Sequence, residues 1–122
     1  KPGVPGLSEN IRVRSILGRF LEHSRIYAFG NDGDPEVFIG SADLMPRNLD
    51  RRIEALISIV EEQQKEYLVE NITMAMSPDF IGTELGPDGS WTRTAAREDG
   101  GRLKDLQATY IKRHPKRRAK RK

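Results

Sequence analysis

The stretch Gly18-Arg19-Phe20-Leu21-Glu22-His23-Ser24-Arg25-Ile26-Tyr27 decides how the chain is read. A helical pattern ends in it, and an extended apolar run begins in it. Upstream, Val13, Ile16, Leu17 and Phe20 fall at i, i+3, i+4 and i+7, the spacing of one helical face. Arg12, Ser15, Arg19 and Glu22 form the opposite stripe. Ser8 offers an N-cap, and Glu9 puts an acid in the first turn, where the helix dipole favours an anion. The spacing therefore predicts an amphipathic helix over 9–22, with its arginines on a solvated face. Downstream, Ile26-Tyr27-Ala28-Phe29 is a short run of strand formers. His23 stands at the helix-to-strand corner. A histidine titrates near neutral pH, so there it can carry a proton in acid–base or phosphoryl chemistry. The plain alternative is a histidine that hydrogen-bonds within a connection.

Gly30-Asn31-Asp32-Gly33-Asp34-Pro35 is a turn by composition, and Val37-Phe38-Ile39 is a second apolar run. Together they predict a hairpin, buried on both faces because the runs do not alternate. The acids of the turn do not make a calcium loop. Such a loop wants Gly at its sixth position and Glu at its twelfth, and counting from Asp32 these are Val37 and Asp43. Gly40-Ser41-Ala42-Asp43 closes the second strand. Met45 to Arg52 follows with three arginines, a polar loop of the kind where an anionic ligand approaches the backbone. Ile53, Ala55, Ile57 and Ile59 then alternate with Arg52, Glu54, Leu56 and Ser58. That period predicts a strand with Arg52 and Glu54 on one face. The two can simply pair, or the glutamate can hold the guanidinium planar toward phosphate.

Residues 61–76 return to helical spacing through Leu68, Ile72, Ala75 and Met76, with Met74 and Met76 as core filler. Residues 78–101 hold seven glycines or prolines, which predicts loops with one short strand near 90–94. A last helix is expected over 102–112. Pro2, Gly3, Pro5 and Gly6 forbid regular structure at the start.

A chain of 122 residues suffices for one domain with a modest core. With 36% hydrophobic and 32% charged residues, it is polar for a self-sufficient globule. Part of it should be a tail, or part of the core should lie elsewhere. The net charge of +3 conceals an asymmetry. Residues 112–122 hold eight Lys or Arg and no acid, so removing them leaves 13 basic against 18 acidic residues, a net of −5. The reading is a mildly acidic domain, 1–111, followed by a basic disordered tail, 112–122. Zero cysteines exclude disulfides and thiolate metal sites. No apolar run reaches the ~18 residues of a membrane span, and no signal-peptide core appears.

Three blocks carry a family resemblance: Gly3-Val4-Pro5-Gly6-Leu7-Ser8-Glu9-Asn10-Ile11; Arg19-Phe20-Leu21-Glu22-His23; and Ser41-Ala42-Asp43-Leu44-Met45-Pro46-Arg47-Asn48-Leu49-Asp50 with Arg52 and Glu54. Over roughly residues 3–58 the chain closely resembles the C-terminal region of bacterial polyphosphate kinases. The resemblance is weaker over 59–111 and absent from the tail. It implies an α+β fold, a phospholipase-D-like mixed β-sheet flanked by helices. In that frame residues 1–111 are most of the second catalytic domain, truncated at its N-terminus. The implied reaction is reversible transfer of the terminal phosphate of ATP to polyphosphate with Mg²⁺, through a phosphohistidine in a domain outside this chain, where the magnesium ligands are also expected. His23 matches a histidine that contacts ATP phosphate and can donate a proton. Arg52 matches an arginine of the same pocket, with Glu54 in support. No metal ligand is assigned within this chain.

The superfamily motif H-x-K-x-x-x-x-D followed by G-S-x-N is altered here. Arg25 stands for Lys, Gly30 for Asp, and Asp43 for Asn. These departures speak against phosphodiester hydrolysis with His23 as nucleophile. Implied partners are ATP or ADP, polyphosphate, the rest of the kinase chain and a second subunit. The implied setting is the cytoplasm, where association with a membrane-bound complex is compatible. The alternative is a nucleic-acid or polyanion-binding module that uses the basic tail with Arg12, Arg14 and Arg19. Aromatic content of only 7% and the lack of a reader motif weigh against it.

Overall fold

The computed structural model describes residues 1–113. The chain divides into two units, one of Glu22–Met74 and one of Lys1–Leu21 with the chain from Ala75 onward.

In the Glu22–Met74 unit, β2 (Ile26–Phe29) and β3 (Glu36–Gly40) pair as the expected hairpin, with Tyr27 opposite Phe38 and Phe29 opposite Glu36. A 3₁₀ turn, Asn31–Gly33, joins them. Asn31, Asp32 and Gly33 all take positive φ, which Asn, Asp and Gly tolerate best. β4 (Leu56–Ile59) adds antiparallel to β3, with Gly40 opposite Leu56. Val37 on the central strand is fully buried. The opposite face is not covered as the apolar runs suggested, since Phe29 and Leu56 are more than half exposed.

The polar stretch before β4 is a helix rather than a loop, α1 (Pro46–Arg51). Pro46 at the first helical position has φ preset for it, and Asn48 and Leu49 donate to the Met45 carbonyl. Arg52 is consequently the C-cap of α1, and the strand begins at Leu56 instead of Arg52. α2 (Glu62–Met76) forms where its spacing predicts. Its first turn carries Glu62, paired with Lys65 at 2.7 Å.

In the other unit, the helix expected over 9–22 is absent. The Ser8 hydroxyl accepts from the Val4 amide and donates to the Lys1 carbonyl, so it closes a turn instead of capping a helix. Gly3 and Gly6 supply the positive φ that this turn requires. β1 (Arg14–Ser15) then pairs with β5 (Gly82–Leu85), Arg14 opposite Glu84. Leu17 and Phe20 of the supposed apolar stripe are exposed. Helical spacing loses here because Ile11, Val13 and Ile16 are β-branched and Gly18 is a weak helix former, while long-range partners are at hand. Arg14, 3% exposed, bonds Glu84 Oε1 at 2.7 Å and also the Phe80 carbonyl.

β6 (Trp91–Thr94), the expected short strand, pairs with β5 in a hairpin. Both three-stranded sheets are antiparallel, β1-β5-β6 and β2-β3-β4, so the expectation of a mixed sheet is corrected to two small antiparallel ones. α3 (Leu106–Arg113) starts later than its pattern suggested, because Asp105 caps it by accepting from the Ala108 amide at 2.7 Å. Phe80, Leu103 and Leu106 are this unit's buried apolar residues. Gln107 is also buried. Its side-chain amide accepts from the Phe20 N–H and donates to the Phe20 carbonyl, both at 2.8 Å. Of the expected tail, Lys112 and Arg113 close α3; residues 114–122 and the polyanion-binding alternative built on them lie outside the described residues.

Gly82 tests how tightly Arg14 is held. A Cβ there would overlap the Arg14 guanidinium. The guanidinium cannot swing away without leaving Glu84 and the Phe80 carbonyl. Gly82→Ala should therefore lower stability by about 1–3 kcal/mol, the usual cost of overpacking. Adding Arg14→Met should recover part of that loss. Thermal melts of the parent and the two variants check this order.

Candidate functional site

The end of β3 and the start of β2 lie side by side, and the candidate site is built on that edge. Gly40 donates its amide to the Arg25 carbonyl at 3.0 Å, carrying the ladder one residue past the strands. Ser41 continues toward β4, donating its amide to the Ala55 carbonyl at 3.0 Å. The Ser41 hydroxyl accepts from the Ala55 amide and donates to Glu54. The Tyr27 hydroxyl donates to the Ala42 carbonyl at 2.9 Å. These contacts fix the Ser41–Asp43 loop from both sides.

Two ion pairs hang on this frame. Arg25 Nε donates to Asp43 Oδ1 at 2.7 Å, and Arg25 Nη1 donates to the His23 carbonyl at 3.1 Å. Glu54 receives the Ser41 hydroxyl, Asn48 Nδ2 at 3.0 Å and, as an ion pair, Arg52 Nε at 3.4 Å. Asn48 is itself buried on α1. The hydrogen bond from Ser41, then that from Asn48, holds the Glu54 carboxyl below the usual carboxylate range; the charges of Arg52 and Arg25 add, and burial opposes. The Asp43 carboxyl is lowered first by its bond from Arg25 and further by the charges of Arg25, Arg47 and His23. Both acids are therefore ionised at neutral pH, and both are partnered.

Of the residues singled out from sequence, Arg52 and Glu54 do pair. They do so from the end of α1 and the extended segment after it, not from one strand face. His23 lies exposed in the irregular segment before β2, and its charge reaches Asp43. His23 and Arg52 thus stand at the two ends of one network that runs through Arg25, Asp43 and Glu54. Arg25, Ser41, Asp43 and Asn48 were not singled out as site residues. The signal for three of them lay in the motif segments read from sequence, at Arg25 and in Gly40-Ser41-Ala42-Asp43. Beside the network, on the open sheet face, lies an apolar cavity of about 540 Å³ lined by Tyr27, Phe29, Phe38, Leu44, Leu49 and Leu56 among others.

Among the described residues no group of three or more His, Cys, Asp or Glu could hold a metal ion. Asp43 Oδ1 is on Arg25 and both Glu54 oxygens are on Ser41, Asn48 and Arg52, so this donor set does not fit magnesium, which asks for about six open oxygen ligands, several of them water. No helix among the described residues is long and apolar enough to cross a membrane.

The fold has known counterparts. Residues 1–104 match the family described as "Polyphosphate kinase C-terminal domain 2", and the chain belongs to that family. It is 55% identical over 118 residues to a polyphosphate kinase of Streptomyces coelicolor, covering 97% of this chain and 16% of that protein. It is 46% identical over 113 residues to polyphosphate kinase 1 of Chlorobaculum tepidum, covering 93% of this chain and 16% of that protein. The crystal structure of polyphosphate kinase from Porphyromonas gingivalis superposes with a TM-score of 0.75 at 31% identity, over 89% of this chain and 17% of that one. The chain therefore spans about a sixth of the length of these relatives.

The depressed acids set a pH dependence. A carboxyl whose folded pKa is lowered stabilises the fold fully above its unfolded pKa, and the contribution fades as pH falls through the folded value. For Glu54 and Asp43 the loss should begin below their ordinary values of 4.5 and 3.8. Glu54→Gln replaces one acceptor with a donor that faces Ser41, Asn48 or Arg52. The variant should melt lower than the parent at pH 7, and the gap should narrow toward pH 3. A constant gap across that range would remove Glu54 ionisation as the cause.

Proposed function

We propose that this chain supplies part of the phosphate-binding wall of a polyphosphate kinase, within a second catalytic domain of phospholipase-D-like fold. The observation that carries this reading is the charge arrangement: both local acids are paired, while Arg52 remains 62% exposed beside Glu54, and His23 and Arg47 add positive charge at Asp43. Phosphoryl transfer demands little covalent work from the protein. It needs cationic and hydrogen-bonding groups placed where charge develops on the transferred phosphate. On this reading the terminal phosphoryl of ATP breaks from ADP and is passed, through a phosphohistidine elsewhere in the enzyme, to a terminal oxygen of polyphosphate. His23 and Arg52 bind phosphate oxygens, His23 is placed to give or take a proton, and Glu54 holds the Arg52 fork flat. The ligands of magnesium would lie in the rest of the enzyme. Exposed Leu17, Leu21, Leu44 and Ile53 fit burial against other parts of a longer kinase chain.

The test uses a full-length polyphosphate kinase carrying this domain. His23→Ala should cut turnover about 10²–10³-fold in both directions, the usual effect of removing one such group. Arg52→Lys keeps the charge but loses the planar fork, so a smaller, clear loss is expected. Melting temperatures should barely change. Near wild-type turnover in His23→Ala would remove His23 from the site.

The isolated chain, given radiolabelled ATP and Mg²⁺, should make neither labelled polymer nor labelled protein. Acid-labile label on His23 would overturn the assignment of the covalent step to another domain.

A further inference from the structure

Arg25, two residues from His23 in a cationic site, is the obvious candidate for another phosphate ligand. Its geometry says otherwise. Its Nε is on Asp43 at 2.7 Å, its Nη1 is on the His23 carbonyl at 3.1 Å, and its own carbonyl accepts the Gly40 amide at 3.0 Å. Its side chain is 23% exposed, against 62% for Arg52. The charge is matched by the Asp43 carboxylate, and the fork is occupied on two sides.

His23, by contrast, lies in a segment without regular structure; residues 21–25 form no helix or strand. Its backbone needs an anchor if the imidazole is to hold a fixed place. Arg25 supplies one. It bridges the loop after β3 to the peptide of His23, and thereby ties the histidine to the sheet edge.

We infer that Arg25 and Asp43 form a positioning clamp for His23 and that Arg25 is not a phosphate ligand. The inference rests on the proposed role of His23. Lysine has a single compact charge and cannot reproduce a planar fork that serves two acceptors at set angles. Asparagine at 43 keeps the size of the side chain but removes the charge that holds Arg25 in place.

The experiment compares Arg25→Lys, Asp43→Asn, the double variant and His23→Ala in the full-length enzyme, assayed well below each melting temperature. A clamp predicts that both single changes lower kcat about 10–100-fold with KM for ATP nearly unchanged, as misplacement of a reacting group does. It also predicts that the double variant is no worse than the singles, since either one already opens the clamp. If Arg25 bound phosphate, Arg25→Lys would mainly raise KM, and Asp43→Asn, by releasing a cation toward substrate, would lower it. That pattern overturns the clamp. If His23→Ala is impaired while both single variants turn over normally, the clamp alone fails. If His23→Ala is itself near wild type, the functional placement of His23 fails and the clamp falls with it. Should Arg25→Lys not fold, Asp43→Asn carries the same test.

Discussion

The Glu54 carboxylate gathers two segments that share no regular pairing with one another. Ser41 reaches it from the end of β3, Asn48 from α1, and Arg52 from the α1 C-cap. Its side chain is only 14% exposed. Such a group is tolerated because donors replace the lost water, and those donors favour the charged form. The consequences are geometric. With Ser41 held by both Glu54 and the Ala55 amide, the loop to Asp43 has one course. Asp43 then meets Arg25, and Arg25 meets the His23 carbonyl. A single anion at the root of β4 thus governs where two cations and a histidine come to rest.

Local signals explain which parts of this were legible. The hairpin of β2 and β3 rests on two apolar runs and a turn rich in Gly, Asn and Asp. α2 rests on fifteen consecutive residues of helical character. Trp91–Thr94 was visible as strand formers among turn residues. The segment 9–22 misled because its apolar spacing fits a helix while its partner lies about seventy positions away. The pairing of Arg14 with Glu84, and the clasp of Phe20 by Gln107, leave no mark in a window of eighteen residues. α1 was missed although Pro46 announced it, because the alternation through Ile59 ran back over Arg52.

The candidate site divides in the same way. Residues two apart in an extended segment share a side, so Arg52 and Glu54 stay neighbours whether or not the segment is a strand. Their pairing was therefore legible despite the wrong element. Arg25 and Asp43 are eighteen positions apart, and only the altered motif linked them. Arg25 and Asp43 form a matched ion pair, Nε to Oδ1 at 2.7 Å.

The distribution of charge completes the picture. Residues 1–111 carry a net of −5, yet in the network Arg25, Arg47 and Arg52 sit beside Asp43 and Glu54. On the proposed reading, a polyanion is repelled by the acidic body and drawn to the exposed fork of Arg52. A uniformly basic domain would bind polyphosphate or nucleic acid anywhere along its surface and gain nothing in orientation. Here the acids serve the cations directly, since each holds an arginine in place.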